Sequence, residues 1–432
     1  MKILHLTYTL LDAEIAYMAA QQAQNDGIKC EIITLDIRYD RFSLKFPAMA
    51  EKFLTVGISL KHLQDFGGYK PVKILRELKP DIVITTDDVD PAYHSFLIAS
   101  EYLNIPTVIV QPGIIGEQPF SWKNIKIVAT AVPNIRRILK DYKNIWISLS
   151  EMNYSFLNKA HHVSRDLYSR FYYGTSAYGH WGCTKIAVNG ESLKDILIRQ
   201  GIDPKKIVVT GQPRFDAIHW KAESIDSFTQ SLEQVRSSKK ILLYLPNALF
   251  QHNLCSKQAY EDIHCSIITS CQSLPEVQLV IKPHPEEDPQ DYMRLITQNG
   301  SDALVYEGNG LYDLIRISDA VITGISTTAL QSLLLNKVLL VVDIHDSSYI
   351  ASGHEYVPYT KNNVAIGIHD SSDYLPMIRK ALYDQETQKT LEKNRDEFVH
   401  YYAYLQDGLA TKRFLDLVTQ TIKEDQNNSL MS

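Results

Sequence analysis

Val280-Ile-Lys-Pro-His-Pro285, Glu307-Gly-Asn-Gly310, Ser318-Asp-Ala-Val-Ile-Thr-Gly-Ile-Ser-Thr-Thr-Ala-Leu-Gln-Ser332 and Val338-Leu-Leu-Val-Val-Asp343 follow one another in one stretch of the chain. The stretch reads as strand, charged loop, helix, strand, hydroxyl-rich turn, helix and strand. Short apolar strands alternating with helices form parallel sheets covered on both faces, and such sheets gather their polar loops at one edge. An α/β protein is expected, with the loops after Ile281 and Thr323 on the ligand-bearing edge.

At 432 residues the chain exceeds one ordinary core, and two domains are expected. The first, Rossmann-like, is placed at 1–225. The second is placed at 236–404, after a polar, uneven stretch, and a closing helix near 405–424 is expected to pack back on the first. Hydrophobic content of 45% and charged content of 22% fit a globular protein in water, and a formal charge of -6 gives no general attraction to nucleic acid. The five cysteines, Cys30, Cys183, Cys255, Cys265 and Cys271, form neither a C-x-x-C pair nor a zinc spacing. They read as free thiols of a reducing compartment. No window approaches the roughly 18 apolar residues of a membrane span, and the apolar run before His5 is too short for a signal peptide. A cytoplasmic location is expected. Arg136, Arg137, Lys140 and Lys143, close to Trp146, read either as a contact with anionic lipid at a membrane surface or as a solvated helix face.

In the first domain, Asp81-Ile-Val-Ile-Thr-Thr-Asp87-Asp88-Val-Asp90-Pro91 is a short strand emptying into three carboxylates. Asp90 before Pro91 has the signature of a helix cap. Capping leaves Asp87 and Asp88 over, so they are the candidate acid/base groups. The next strand ends in Gln111-Pro112-Gly113 with Glu117 just beyond, and Ile207-Val-Val-Thr-Gly211-Gln-Pro-Arg214-Phe-Asp216 closes another strand. Gly113, Glu117, Gly211 and Arg214 are therefore candidates to line a substrate cleft.

In the second domain, Lys282-Pro-His284-Pro285 stiffens a turn and removes N–H donors, so the strand ends while a cation and an imidazole stay close together. That suits recognition of a phosphate; an ordinary surface turn is the alternative. Gly324-Ile-Ser326-Thr327-Thr328 leads from a strand into a helix start. Backbone N–H groups there, joined by hydroxyls, bind phosphate without a lysine-bearing P-loop, although a simple cap needs only one of those hydroxyls. Glu307 is a candidate for ribose hydroxyls, or a residue of a solvent turn.

These motifs carry a resemblance. Lys-Pro-His-Pro followed by Ser-Asp-x-Val-Ile-Thr-x-x-Ser-Thr-Thr-Ala-Leu-x-Ser-Leu-Leu-x-x-Lys resembles the C-terminal domain of GT-B glycosyltransferases of bacterial surface and capsular polysaccharide synthesis. Gly190-Glu191-Ser, Gly211-Gln-Pro-Arg214-Phe-Asp216 and Asp407-Gly-Leu-Ala-Thr-Lys-Arg413 are similar to other segments of the same group. Polyol-phosphate transferases, sialyl and Kdo transferases and UDP-GlcNAc 2-epimerases share the plan. The resemblance implies two Rossmann-like domains facing a central cleft. It also implies a metal-independent reaction with no cofactor besides a nucleotide-activated sugar as donor, and a glycan or lipid-linked acceptor. Lys282, His284, Gly324, Ser326, Thr327 and Thr328 would hold the donor phosphates, and Asp87 or Asp88 would take the acceptor proton. Many relatives place His-Gly where this chain has Gln111-Pro112-Gly113. An epimerase, or a nucleotide-binding subunit without turnover, are the rival readings.

Overall fold

The structure, a computed structural model, describes residues 1–35, 51, 53–54, 57–58, 60–88, 90–115, 135–173, 178–219, 226–251, 255–308, 310–343 and 357–431. Two compact units result, Met1–Ala217 with Tyr402–Ser432, and Ile218–Tyr401. The helix Ser227–Val235 falls in the stretch read as a linker and belongs to the second unit.

The first unit holds a seven-stranded sheet in the order β3-β2-β1-β4-β5-β6-β7. Its strands are β1 (Lys2–Thr7), β2 (Lys29–Thr34), β3 (Leu60–His62), β4 (Ile82–Thr85), β5 (Thr107–Val110), β6 (Lys185–Val188) and β7 (Ile207–Val209). Every pairing is parallel. β4 and β5 are buried at every position, because helices cover both faces. One covering element is the last helix, Ala410–Met431, whose Phe414, Val418 and Ile422 pack with Ile3, Ile15 and Val108. Asp216 docks it: its carboxylate accepts from the N–H of Ala410 at 3.0 Å and of Thr411 at 2.7 Å, satisfying donors that a helix start leaves open. Burial pushes the His5 imidazole on β1 down to about 3, so it stays neutral beside Phe414.

The second unit holds six parallel strands in the order β10-β9-β8-β11-β12-β13. They are β8 (Lys240–Leu245), β9 (Val277–Ile281), β10 (Leu304–Val305), β11 (Ala320–Thr323), β12 (Val338–Val342) and β13 (Ile366–Ile368). In both sheets the chain runs outward from a central strand and then reverses. The reversal lies between β1 and β4 in the first sheet and between β8 and β11 in the second. Helices diverge from the sheet at such a switch point and leave a crevice at the carboxyl ends of the two strands. The acidic loop follows β4, and the hydroxyl turn follows β11.

Candidate functional site

At the switch point of the second sheet, three loops are stitched together sideways. β11 ends in Thr323, whose hydroxyl donates to Leu245 O at 2.6 Å and lies 3.1 Å from Asn247 Oδ1. Asn247 Oδ1 also accepts from the Gly324 N–H at 3.2 Å. A Cβ at Gly324 would stand 2.6 Å from Asn247 Nδ2, so glycine is what lets this amide lie over the turn. Ser326 caps the helix Thr327–Leu334 by accepting from Ala329 N, and its hydroxyl lies 2.6 Å from that of Thr328. The capping alternative therefore holds for Ser326, yet Thr327 and Thr328 remain beyond it, half-buried at the helix start. Tyr359 secures the turn from behind by donating to Ser326 O at 3.0 Å.

On the other side of β8, the motif after β9 places His284 half-buried. Its Nδ1 accepts from the Glu286 N–H at 3.2 Å. A peptide N–H can only donate, so Nδ1 is bare and the ring proton sits on Nε2. His284 thus presents a donor. Lys282 donates to the Gly308 carbonyl and lies 5.0 Å from the centre of the Tyr306 ring, so it ties Gly308 and Tyr306 to the end of β9. Tyr306 in turn donates to Asp226 and accepts from Gly310 N at 2.9 Å. A Cβ on Gly308 would come within 2.4 Å of the Tyr306 ring, so the loop needs glycine to fold over it. Glu307 stands exposed on this loop. Lys337, the last residue of the motif, donates to the carbonyls of Arg316 at 2.6 Å and Ser318 at 2.9 Å, closing the end of the helix Leu311–Ile317.

At the switch point of the first sheet, the paired aspartates have different fates. Asp88 is wholly buried, and its two oxygens accept from the backbone N–H groups of Gly179 at 3.0 Å and Trp181 at 3.1 Å. It pins the chain just before β6 and has no exposed surface to offer an acceptor, which corrects its candidacy as the base. Asp87 is half-buried and accepts from Asp90 N at 3.3 Å. Asp90 caps the helix Pro91–Tyr102 through Ala92 N at 2.9 Å. Beside them, Tyr93 donates to Asp12 at 2.8 Å and receives the Thr86 hydroxyl at 3.2 Å. Asp12 also accepts from the N–H groups of Tyr8 and Thr9 and so fixes the turn after β1.

Burial, followed by the neighbouring charge of Asp87, raises the Asp88 carboxyl from 3.8 to about 7. Between those values the folded protein keeps a proton that the unfolded chain releases, so the stability tied to Asp88 is full at low pH and falls as pH rises. An asparagine does not titrate. Relative to Asp88→Asn, the wild type is expected to lose about 2 kcal/mol of unfolding free energy between pH 5 and pH 7. Urea unfolding of both proteins across that range measures the difference, and parallel pH profiles would contradict it.

The remaining candidates have structural work. Gln111 is buried: its Nε2 donates to Gly113 O at 2.7 Å and its Oε1 accepts from Asn189 N at 2.8 Å. Together with the Gln212 amide, which donates to Pro112 O, it clamps the Gly113 loop. Arg214 pairs through Nε with Glu14 at 2.7 Å. Gly211, at φ 75°, lies beside the last helix, where Arg413 donates to Thr210 O at 2.8 Å. Gly211 and Arg214 are thus held by contacts within the first unit. Glu117 lies outside the described residues, as do the side chains of Arg136, Arg137 and Lys140.

A family profile described as CDP-glycerol:poly(glycerophosphate) glycerophosphotransferase matches residues 182–420, more than half of the chain. Comparison with curated protein sequences finds no relative. Among solved structures, UDP-GlcNAc 2-epimerase from Neisseria meningitidis bound to UDP-GlcNAc is similar at TM-score 0.61 and 14% identity, over 97% of this chain and 100% of that one. The S. aureus MnaA–UDP structure is similar at TM-score 0.61 and 12% identity, over 98% and 97%. A glycosyltransferase from Rickettsia africae ESF-5 is similar at TM-score 0.55 and 13% identity, over 98% of each chain. At these identities the likeness establishes the fold: two Rossmann-like units of the GT-B type.

Proposed function

Because the chain belongs to the CDP-glycerol:poly(glycerophosphate) glycerophosphotransferase family, we propose that it transfers a group from a nucleotide-diphosphate-activated donor to an acceptor hydroxyl, with a CDP-alcohol as the first donor to test. The observation that carries the reading is the carboxyl edge of β9, β8 and β11. There, loops tied to one another present the His284 Nε2–H, the hydroxyls of Ser326 and Thr328 and the start of the helix Thr327–Leu334. Such donors stabilise the charge that grows on phosphate oxygens during transfer. Neighbours described with UDP or UDP-GlcNAc bound support a nucleotide diphosphate as the ligand class.

In this reading the acceptor oxygen attacks the β-phosphorus, Asp87 takes its proton, the bond between the β-phosphorus and the bridging oxygen breaks, and CMP leaves. The reading assigns no resident cofactor and no metal. With a nucleotide sugar, attack would fall on the anomeric carbon and a nucleoside diphosphate would leave. Incubation with CDP-glycerol or UDP-GlcNAc and a glycerophosphate or glycan acceptor, with the released nucleotide identified, separates these outcomes. Acceptor-dependent CMP supports the first, whereas UDP supports glycosyl transfer. Conversion of UDP-GlcNAc without an acceptor would indicate an epimerase, and nucleotide binding without turnover a non-catalytic subunit.

A lipid-linked acceptor would be met at a membrane, and the helical pair Ile135–Glu151 and Phe156–Tyr173 supports that placement. Phe156 and Leu157 are 70% and 77% exposed, next to Trp146 and with Ile147, Lys143 and Lys159 close by in the same pair. Exposed apolar side chains with lysines on the same helices suit the interface of an anionic bilayer. Co-sedimentation with phosphatidylglycerol vesicles, lost in Phe156→Ser/Leu157→Ser and absent with phosphatidylcholine, is the expected result; binding unchanged by the double substitution would place any membrane contact elsewhere. No helix among the described residues is long and apolar enough to cross a membrane.

A further inference from the structure

Glu287 lies two residues past the end of the Lys-Pro-His-Pro motif, and its side chain turns inward, leaving the residue 7% exposed. Oε1 accepts from the Ala248 N–H at 2.9 Å and from the Tyr260 hydroxyl, while Oε2 accepts from the His284 N–H at 2.7 Å and from the Tyr292 hydroxyl at 2.9 Å. Four donors converge on one carboxylate. Two of them are backbone groups from different loops, one after β8 and one after β9. Behind the tyrosines, His264 lies 3.4 Å from the Tyr292 hydroxyl through Nε2 and 2.8 Å from that of Tyr244 through Nδ1. Burial holds His264 neutral, at about 3.

The loop after β8 shows why a latch is needed. Ala248 takes φ 52°, a left-handed conformation that a residue with a Cβ rarely adopts. Its N–H is held by Glu287, and the preceding residue, Asn247, is the one that lies over Gly324 and accepts from its N–H. A single carboxylate thereby fixes the backbone of His284 directly and the hydroxyl turn through Asn247.

We propose that Glu287 is a positioning residue of the transferase, setting the backbone of His284 and, through Ala248 and Asn247, the turn that carries Ser326 and Thr328. The assignment rests on the phosphate-binding reading above, but its geometry exists without a ligand. Glutamine in this place offers one acceptor oxygen and turns an N–H toward a backbone N–H, so one of the two loops must shift. Tyr292→Phe removes a hydroxyl and leaves both loop bonds intact.

The test measures CDP-glycerol turnover in the wild type, Glu287→Gln and Tyr292→Phe, together with the His284 ring resonances of each protein without ligand, by NMR on histidine-labelled samples. The expected result is a 10- to 100-fold lower kcat/KM and a displaced His284 resonance in Glu287→Gln, with Tyr292→Phe within about threefold of wild type and its His284 resonance unmoved. These are magnitudes typical of supporting groups. If Glu287→Gln does not fold, Glu287→Asp takes its place, since it keeps the charge but withdraws it by one methylene, and the same two changes are expected. A folded Glu287 variant whose His284 resonance coincides with the wild type overturns the proposal, whatever the donor assay gives. Turnover within twofold of an active wild type also overturns it. An inactive wild type would count against the proposed reaction alone, because the resonance still decides the role of Glu287.

Discussion

Replacing His284 by alanine is expected to lower kcat with the donor about 100- to 1,000-fold, the range seen when one preorganised donor to a developing oxyanion is removed. The tautomer gives the reason. Nδ1 is committed to the Glu286 N–H, so the ring carries its proton on Nε2 and acts by donating it in a hydrogen bond. A donor whose bond strengthens as charge leaves the β-phosphorus stabilises the transition state more than the bound donor substrate, so the loss should fall on kcat rather than KM. Glutamine places an amide N–H near the position of Nε2 but cannot accept a proton in catalysis. His284→Gln is therefore expected to recover about tenfold over alanine if the role is donation. Steady-state nucleotide release measures both variants. A glutamine variant no better than alanine would make His284 a base instead, and alanine at wild-type rate would remove it from the reaction.

The second unit was legible because its motifs interrupt regular patterns. The apolar run of β9 stops at a Pro-His-Pro turn, and β11 stops at a glycine followed by hydroxyls, so periodicity itself marks the edge where loops gather. Nothing local marks Glu287. Its four partners come from Ala248, Tyr260, His284 and Tyr292, and only folding brings a buried carboxyl to them. The second of two adjacent glutamates looks in sequence like part of a solvated charge run. Gly211 and Arg214 have partners that are equally invisible in the sequence. A glycine and an arginine after a strand resemble a ligand loop, yet here they sit by the last helix and by Glu14, contacts about 200 positions away in sequence. The Asp87–Asp88 pair exposes a further limit, since where a strand gives way to a loop the alternation of faces ends. Which of two neighbouring carboxyls turns inward is then set by the donors available, here the N–H groups of Gly179 and Trp181.

That division yields the largest expected loss. Asp87→Asn should reduce kcat about 100- to 10,000-fold, the contribution of a positioned general base, with little change in thermal stability. Asp87 is half-buried and bonded to the Asp90 N–H, which an asparagine oxygen can still accept from. Asp88→Asn is expected to show the reverse balance: its amide keeps one acceptor oxygen and turns an N–H toward the other of the two backbone N–H groups, so its stability moves first and its activity follows the fraction folded. Measured at a temperature where both variants are folded, kcat separates them. The pH profile adds a second criterion. A base must be ionised to work, so the acidic limb of kcat/KM in the wild type should vanish in Asp87→Asn, leaving a low, flat rate from the phosphate donors alone. If Asp87→Asn keeps kcat within about threefold, or if the acidic limb survives it, the acceptor proton leaves by another group, and the 116–134 segment that contains Glu117 becomes the place to search by alanine substitution.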